Sequence, residues 1–148
     1  MSAPPPTKGF ILLVEDNHND ELLTRRAFGK NNMADRLMAI SDGVEALDFL
    51  LNGPAKPALV LLDLKLPRLD GLEILRRLRA DARTRELPVI MLTSSDEEAD
   101  RQRGLEAGLN GYIRKPVDFS EFVEIVRHLG LYWLGFDDTV PPSKEIKL

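Results

Sequence analysis

Ala58-Leu59-Val60-Leu61-Leu62 is an unbroken apolar run that ends directly on the carboxylate of Asp63. An apolar run of this length that does not alternate with polar residues belongs to a strand covered on both faces. The pattern recurs on either side of it. Residues 10–14 run into Glu15-Asp16, 88–92 into Thr93-Ser94-Ser95, and the short stretch 111–113 comes just before Lys115-Pro116. Residues 37–40 make a further short strand. Helical patterns fill the intervals: Leu22, Leu23, Ala27 and Phe28 within 19–30, then Val44, Leu47, Leu50 and Leu51 ahead of Asn52-Gly53-Pro54. A third helix follows Asp70-Gly71 with Leu72, Ile74, Leu75 and Leu78, a polar one spans 97–107 up to Gly108, and a long one spans 119–134. Five strands alternating strictly with five helices predict parallel β-α-β units with right-handed crossovers. The expected fold is an α/β doubly wound, flavodoxin-like sheet of five parallel strands in the order 2-1-3-4-5.

Composition narrows the function. The 148 residues contain no cysteine, which excludes a disulfide scaffold, a thiol nucleophile and cysteine-bound metal. The two histidines, His18 and His128, are far apart in sequence, which speaks against a histidine metal centre. Lys and Arg number 20 against 24 Asp and Glu, a net charge of −4, so no direct nucleic-acid contact is expected. No apolar run is long enough for a membrane span or a secretory leader, and the expected location is cytoplasmic. Residues 1–8, with Pro4-Pro5-Pro6, read as a disordered arm, 9–134 as the single domain, and 135–148 as a tail or dimerisation arm.

In a doubly wound sheet, ligands bind beyond the carboxyl ends of the strands at the switch point between strands 1 and 3. The residues that fall there are Glu15, Asp16, Asp63, Thr93 and Lys115. Two carboxylates about 5 Å apart repel by roughly 3 kcal/mol at an effective dielectric near 20, so three of them in one crevice call for a cation. All-oxygen donors favour Mg²⁺. Either Asp16 or Asp63 alone is explained equally well as the cap of the helix that follows. Four strand ends converging with complementary chemistry are not explained that way.

The ordered set Leu13-Val14-Glu15-Asp16, Asp63 with Pro67 and Asp70-Gly71, Thr93-Ser94, and Tyr112 with Lys115-Pro116 resembles the receiver domain of two-component response regulators (CheY-like) over residues 10 to 134. The resemblance implies that Asp63 is the phosphoacceptor and that Asp16 binds Mg²⁺ directly. It further implies that Glu15 holds the ion through water, that the Lys65 main-chain carbonyl is another ligand, and that Thr93 and Lys115 contact the phosphoryl oxygens. It implies a cis Lys115-Pro116 bond as well. Glu15 stands where many receivers have Asp, and the longer arm suits a contact through water. The chemistry agrees, because a carboxylate attacks phosphorus to form an acyl phosphate and charge neutralisation carries most of the catalysis. A phosphoryl group on Asp63 would draw the Thr93 hydroxyl and let Tyr112 swing inward, a two-position switch.

A narrower set is similar to single-domain regulators paired with phytochrome-type sensor histidine kinases. It comprises Arg26-Ala27-Phe28, Leu64-Lys65-Leu66-Pro67, Thr93-Ser94-Ser95, Lys115-Pro116-Val117-Asp118-Phe119 and the 131–134 ending. In the last helix, Phe122, Val126, Leu129 and Trp133 form a stripe about 60° wide, which Phe119, Val123 and Ile125 widen to about 160°. That breadth fits either a well-buried terminal helix or, the preferred reading, a homodimer through the fourth helix, fifth strand and fifth helix, with Phe119, Val123, Trp133 and Phe136 at the interface and the tail as an arm rather than a disordered end. A haloacid-dehalogenase-like phosphatase is the enzyme alternative, but it needs an acid two residues past its nucleophile, where Lys65 stands. A flavodoxin would need a phosphate-cradling loop where Glu15-Asp16-Asn17 stands. The remaining alternative is an interaction module that takes no phosphoryl group. The expectation is therefore a signalling protein that assists its own phosphorylation and dephosphorylation, not a metabolic enzyme.

Overall fold

The five apolar runs join edge to edge in one sheet in a computed structural model that describes residues 9–93, 98–115 and 118–135. The elements in chain order are β1 (Ile11–Val14), α1 (His18–Lys30), a 3₁₀ turn (Ala34–Arg36), β2 (Leu37–Ile40), α2 (Gly43–Asn52), β3 (Leu59–Asp63), α3 (Gly71–Ala80), β4 (Val89–Thr93), α4 (Glu98–Glu106), β5 (Gly111–Arg114) and α5 (Phe119–Leu129), followed by a π-helical turn (Gly130–Leu134). The strands form one parallel sheet in the order β2-β1-β3-β4-β5, as the alternation predicts. Register aligns Val14 with Leu62, Asp63 with Leu92, and Thr93 with Arg114, so the carboxyl ends of β1, β3, β4 and β5 lie along one edge.

Side chains on a strand point alternately to opposite faces, and the core divides accordingly. Leu12, Val14, Val60, Leu62, Val89 and Met91 pack with Ala46, Leu47 and Leu50 of α2 and Ile74, Leu75 and Leu78 of α3. Ile11, Leu13, Leu59, Leu61, Ile90, Leu92 and Ile113 pack with Ala27 and Phe28 of α1 and Phe122, Val126 and Leu129 of α5. Both faces are covered, which is why these strands carry unbroken apolar runs.

Three expectations need correction. Leu22 and Leu23 are exposed, and the buried stripe of α1 is Thr24, Ala27 and Phe28. Thr24 can sit there because its hydroxyl donates to the Asp20 carbonyl at 2.9 Å, which satisfies its polar group. On α2, Val44 is exposed and Ala46 takes the core position. The last helix does not run as one α-helix to Leu134. It changes to a π-helical turn at Gly130, closed by the Gly135 N–H on the Gly130 carbonyl. The expected arm 1–8, the tail 136–148 with Phe136, and the Pro116 side of the Lys115-Pro116 bond lie outside the described residues. No helix among the described residues is long and apolar enough to cross a membrane.

Candidate functional site

β1 and β3 end side by side and deliver their terminal acids to one hollow. Beyond β1, the chain turns into α1 through Asn17, whose side chain caps the helix by accepting the Asp20 N–H at 3.0 Å. Beyond β3, a loop leads to α3, where Asp70 caps the helix by accepting the Glu73 N–H at 2.9 Å. The Gly71 N–H donates back to the Leu64 carbonyl at 2.8 Å, which folds this loop against the end of β3. The hollow has a volume of about 490 Å³ and is lined by Asp16, Asn17, His18, Asn19, Asp20, Asp63, Lys65 and Lys115.

Glu15, Asp16 and Asp63 each offer a carboxylate oxygen, and these atoms lie within 4.8 Å of one another. Asp16 is exposed, Asp63 is 8 % exposed, and Glu15 is 1 % exposed. Burial, followed by a hydrogen bond shared with Asp63, pushes the Glu15 carboxyl up to about 7, and Lys115 only partly offsets this. The Asn17 N–H donates to Glu15 Oε2 at 3.3 Å and the Lys65 N–H to Asp63 Oδ1 at 3.2 Å, so main-chain amides help orient both carboxylates.

Lys115 follows β5 directly, and its main-chain N–H donates to the Thr93 carbonyl at 2.6 Å, which ties it to the end of β4. Its Nζ lies 2.9 Å from Glu15 Oε1, 2.8 Å from Asp20 Oδ2 and 3.7 Å from Asp63 Oδ2. Burial disfavours the ammonium, but hydrogen bonds to Asp20 and then Glu15, with the charge of Asp63, outweigh it and hold Lys115 above its ordinary value. Thr93 ends β4 and is fully buried. Tyr112 stands beside Met91 in the sheet and is partly buried against the α2–α3 side of the core.

The fold thus brings together Glu15, Asp16, Asp63 and Lys115, with Thr93 at the neighbouring strand end. At Lys65 the described contact is the amide on Asp63, and the side chain two residues past the central acid is a lysine, where a phosphatase would need a carboxylic acid. Sequence reasoning missed Asp20, Asn19 and His18 as lining residues. Of the residues expected at an interface on α5, Phe119 lines a groove with Arg26, Gly29 and Lys30, and the Val123 carbonyl accepts Asn31 Nδ2 at 3.0 Å. Both residues therefore lie on the flank of α5 nearest α1. Trp133 is partly buried against the α1–α5 side of the core.

A hard dication fits this donor set. Three carboxylate oxygens converge, one of the acids is open to solvent, and the nearby ammonium spends its short bonds on Glu15 and Asp20.

Comparison with known proteins agrees with this chemistry. A family model described as the response regulator receiver domain matches residues 11–127. The probable methanogenesis regulatory protein FilR2 of Methanothrix harundinacea is 37% identical over 137 residues, covering 90% of this chain and 88% of that protein. The response regulator MprA of Mycobacterium sp. is 39% identical over 119 residues, and the match covers 80% of this chain and 49% of MprA. Among solved structures, the phosphorylated cyanobacterial phytochrome response regulator RcpA superposes with a TM-score of 0.78 at 31% identity, covering 88% of this chain and 97% of the other. The bacteriophytochrome response regulator AtBRR gives 0.69 at 45% identity, with 86% and 96% covered. The receiver domain of the sensor histidine kinase PA1611 from Pseudomonas aeruginosa, with a magnesium ion coordinated in its active-site cleft, gives 0.70 at 30% identity, with 87% and 99% covered.

Proposed function

The chain belongs to the response regulator receiver family, and from that premise we propose that Asp63 is the carboxylate on which it takes a phosphoryl group from the phosphohistidine of a sensor histidine kinase. One observation carries the reading: the oxygens of Glu15, Asp16 and Asp63 converge within 4.8 Å at the carboxyl edge of the sheet, with the Lys115 ammonium beside them. In the transfer, an Asp63 oxygen attacks phosphorus and the phosphorus–nitrogen bond breaks. Its electron pair stays on the imidazole nitrogen, and an acyl phosphate remains on Asp63. In the reverse discharge, water attacks phosphorus, the bond to Asp63 breaks, and carboxylate and inorganic phosphate result. The chain thereby assists its own phosphorylation and dephosphorylation and is not a metabolic enzyme.

The Lys65 N–H on Asp63 Oδ1 orients the nucleophile before the phosphoryl group arrives. Asp16, Asp63 and the Lys65 carbonyl, with Glu15 through water, would hold Mg²⁺, which would supply neutralisation of the charge gathered on the phosphoryl oxygens. Lys115 and the Thr93 hydroxyl take the remaining phosphoryl oxygens. Thr93 passes the event to Tyr112 on the neighbouring strand, and so to the surface made by α4, β5 and α5. The similarity to RcpA and AtBRR supports a phytochrome-type kinase as the donor. The part of the α5 apolar arc that lies away from α1 supports homodimerisation through the α4-β5-α5 surface, with 135–148 as a clasp.

The test is labelling by acetyl phosphate in Mg²⁺. The intact chain incorporates about one phosphoryl group and Asp63→Asn incorporates none. Undiminished labelling of the variant would reject Asp63 as the acceptor.

A further inference from the structure

Lys115 is held short of Asp63. Charge-assisted N–H···O contacts run at about 2.7–2.9 Å, and Lys115 makes two of them, to Asp20 Oδ2 at 2.8 Å and Glu15 Oε1 at 2.9 Å. Asp63 Oδ2, at 3.7 Å, lies beyond that range. An ammonium has three protons, so two are committed to acids other than the one that reacts.

Asp20 is unlike the other acids of the hollow. It is not one of the three whose oxygens converge, and it stands on α1 rather than at a strand end. The helix fixes it: its N–H is bound by the Asn17 side chain, and its carbonyl accepts the Thr24 hydroxyl. Its carboxylate therefore projects from a rigid turn into the hollow and meets a lysine from the other end of the sheet. The pair is shielded, with side-chain exposures of 31 % for Asp20 and 17 % for Lys115, so it is screened less than a surface pair.

We propose that Asp20 is a positioning residue that holds the Lys115 ammonium away from Asp63, so that phosphorylation proceeds against an ion pair that must be given up as Lys115 turns to the phosphoryl oxygens. This rests on the reading of Asp63 as the acceptor. Asp20 also adds a second penalty, because its own negative charge faces the incoming phosphoryl dianion. The Asp20–Lys115 pair thus biases the chain toward the unphosphorylated state, and Asp20 sets how large a fraction carries the phosphoryl group at a given supply.

The experiment titrates beryllofluoride, a phosphoryl mimic, with Mg²⁺ into the intact chain and into Asp20→Asn and Asp20→Glu. Asp20→Asn keeps the size and removes the charge, and it should bind beryllofluoride about three- to tenfold tighter. Asp20→Glu restores the charge and should return to the affinity of the parent. A second readout uses no metal: the Lys115 ammonium resonance in ¹⁵N-labelled protein, sharp in the parent and in Asp20→Glu, should broaden through faster exchange in Asp20→Asn. Equal or weaker beryllofluoride binding by Asp20→Asn, or an unchanged Lys115 resonance, overturns the proposal while leaving Asp63 as acceptor. That outcome includes the case in which Asp20 only steadies the start of α1 and its loss lowers stability alone. A parent chain that binds no beryllofluoride overturns the reading of Asp63, and this inference with it.

Discussion

Glu15 is 1 % exposed among acids that share a hollow, and its burial decides how the site responds to pH. Its carboxyl rises from 4.5 to about 7, chiefly through desolvation. Between those values the folded chain binds more protons than the unfolded chain, so stability falls as pH rises through the interval. Metal-free protein is therefore expected to lose about 1–3 kcal/mol between pH 4.5 and pH 7 from this group. Urea unfolding in chelator at pH 5 and pH 8 measures the loss, and Glu15→Gln should remove most of it. A parent and variant with the same pH slope would contradict the assignment. At this scale Glu15, Asp16, Asp63, Thr93 and Lys115 were all legible in the sequence, because each stands where an apolar run stops. Asp20 was not, since its role comes from a lysine side chain that reaches it across 95 residues of sequence. Nothing in the local pattern of α1 marks that partner.

The loop between β3 and α3 packs behind Asp63, and Gly71 is its tightest point. A Cβ on Gly71 would overlap the Asp63 carbonyl oxygen and approach the Leu64 Cα to 3.0 Å, both of them main-chain atoms. Because strand backbone cannot swing aside as a flexible side chain does, Gly71→Ala is expected to cost about 1–3 kcal/mol. It should also slow acetyl phosphate labelling of Asp63 by displacing that carboxylate. Thermal unfolding and labelling rates check both parts, and a variant that keeps parental stability would show that the loop yields. The strands were readable to within a residue at each end because unbroken apolar runs have few other uses. The helices were less so. Leu22 and Leu23 mimic a core stripe, whereas the real one begins with Thr24, whose hydroxyl is hidden in a helix hydrogen bond. Apolar spacing also cannot separate an α-turn from the π-helical turn at Gly130, since a single turn is too short for the two periods to diverge.

At the scale of the molecule, strand order was legible because strict alternation allows few topologies, but the outward face of α5 was not. The apolar breadth of that helix serves two neighbours: Phe119 and Val123 lie toward α1, while Ile125, about 240° around the helix from Phe119, lies on the other flank, and all three are partly buried. A sequence records that a helix is broad, not which part of the breadth its own domain consumes. What is left for a second copy of the chain is thus a narrower strip of α5, and the proposed dimer depends more heavily on residues 135–148. Packing of the domain reaches Leu134: with Trp133 it lies against the α1–α5 core, and its Cδ2 comes within 3.9 Å of where a side chain on Gly9 would begin. A chain ending at Leu134 therefore retains every described core contact, loses only the Gly135 N–H that closes the π-helical turn among the described residues, and should unfold within a few degrees of the intact chain. Its self-association should weaken by about tenfold or more, so that it sediments as a monomer at concentrations where the intact chain sediments as a dimer. If the shortened chain pairs as tightly as the intact one, the tail is not the clasp, and the exposed strip of α5 with α4 and β5 must hold the two copies together unaided.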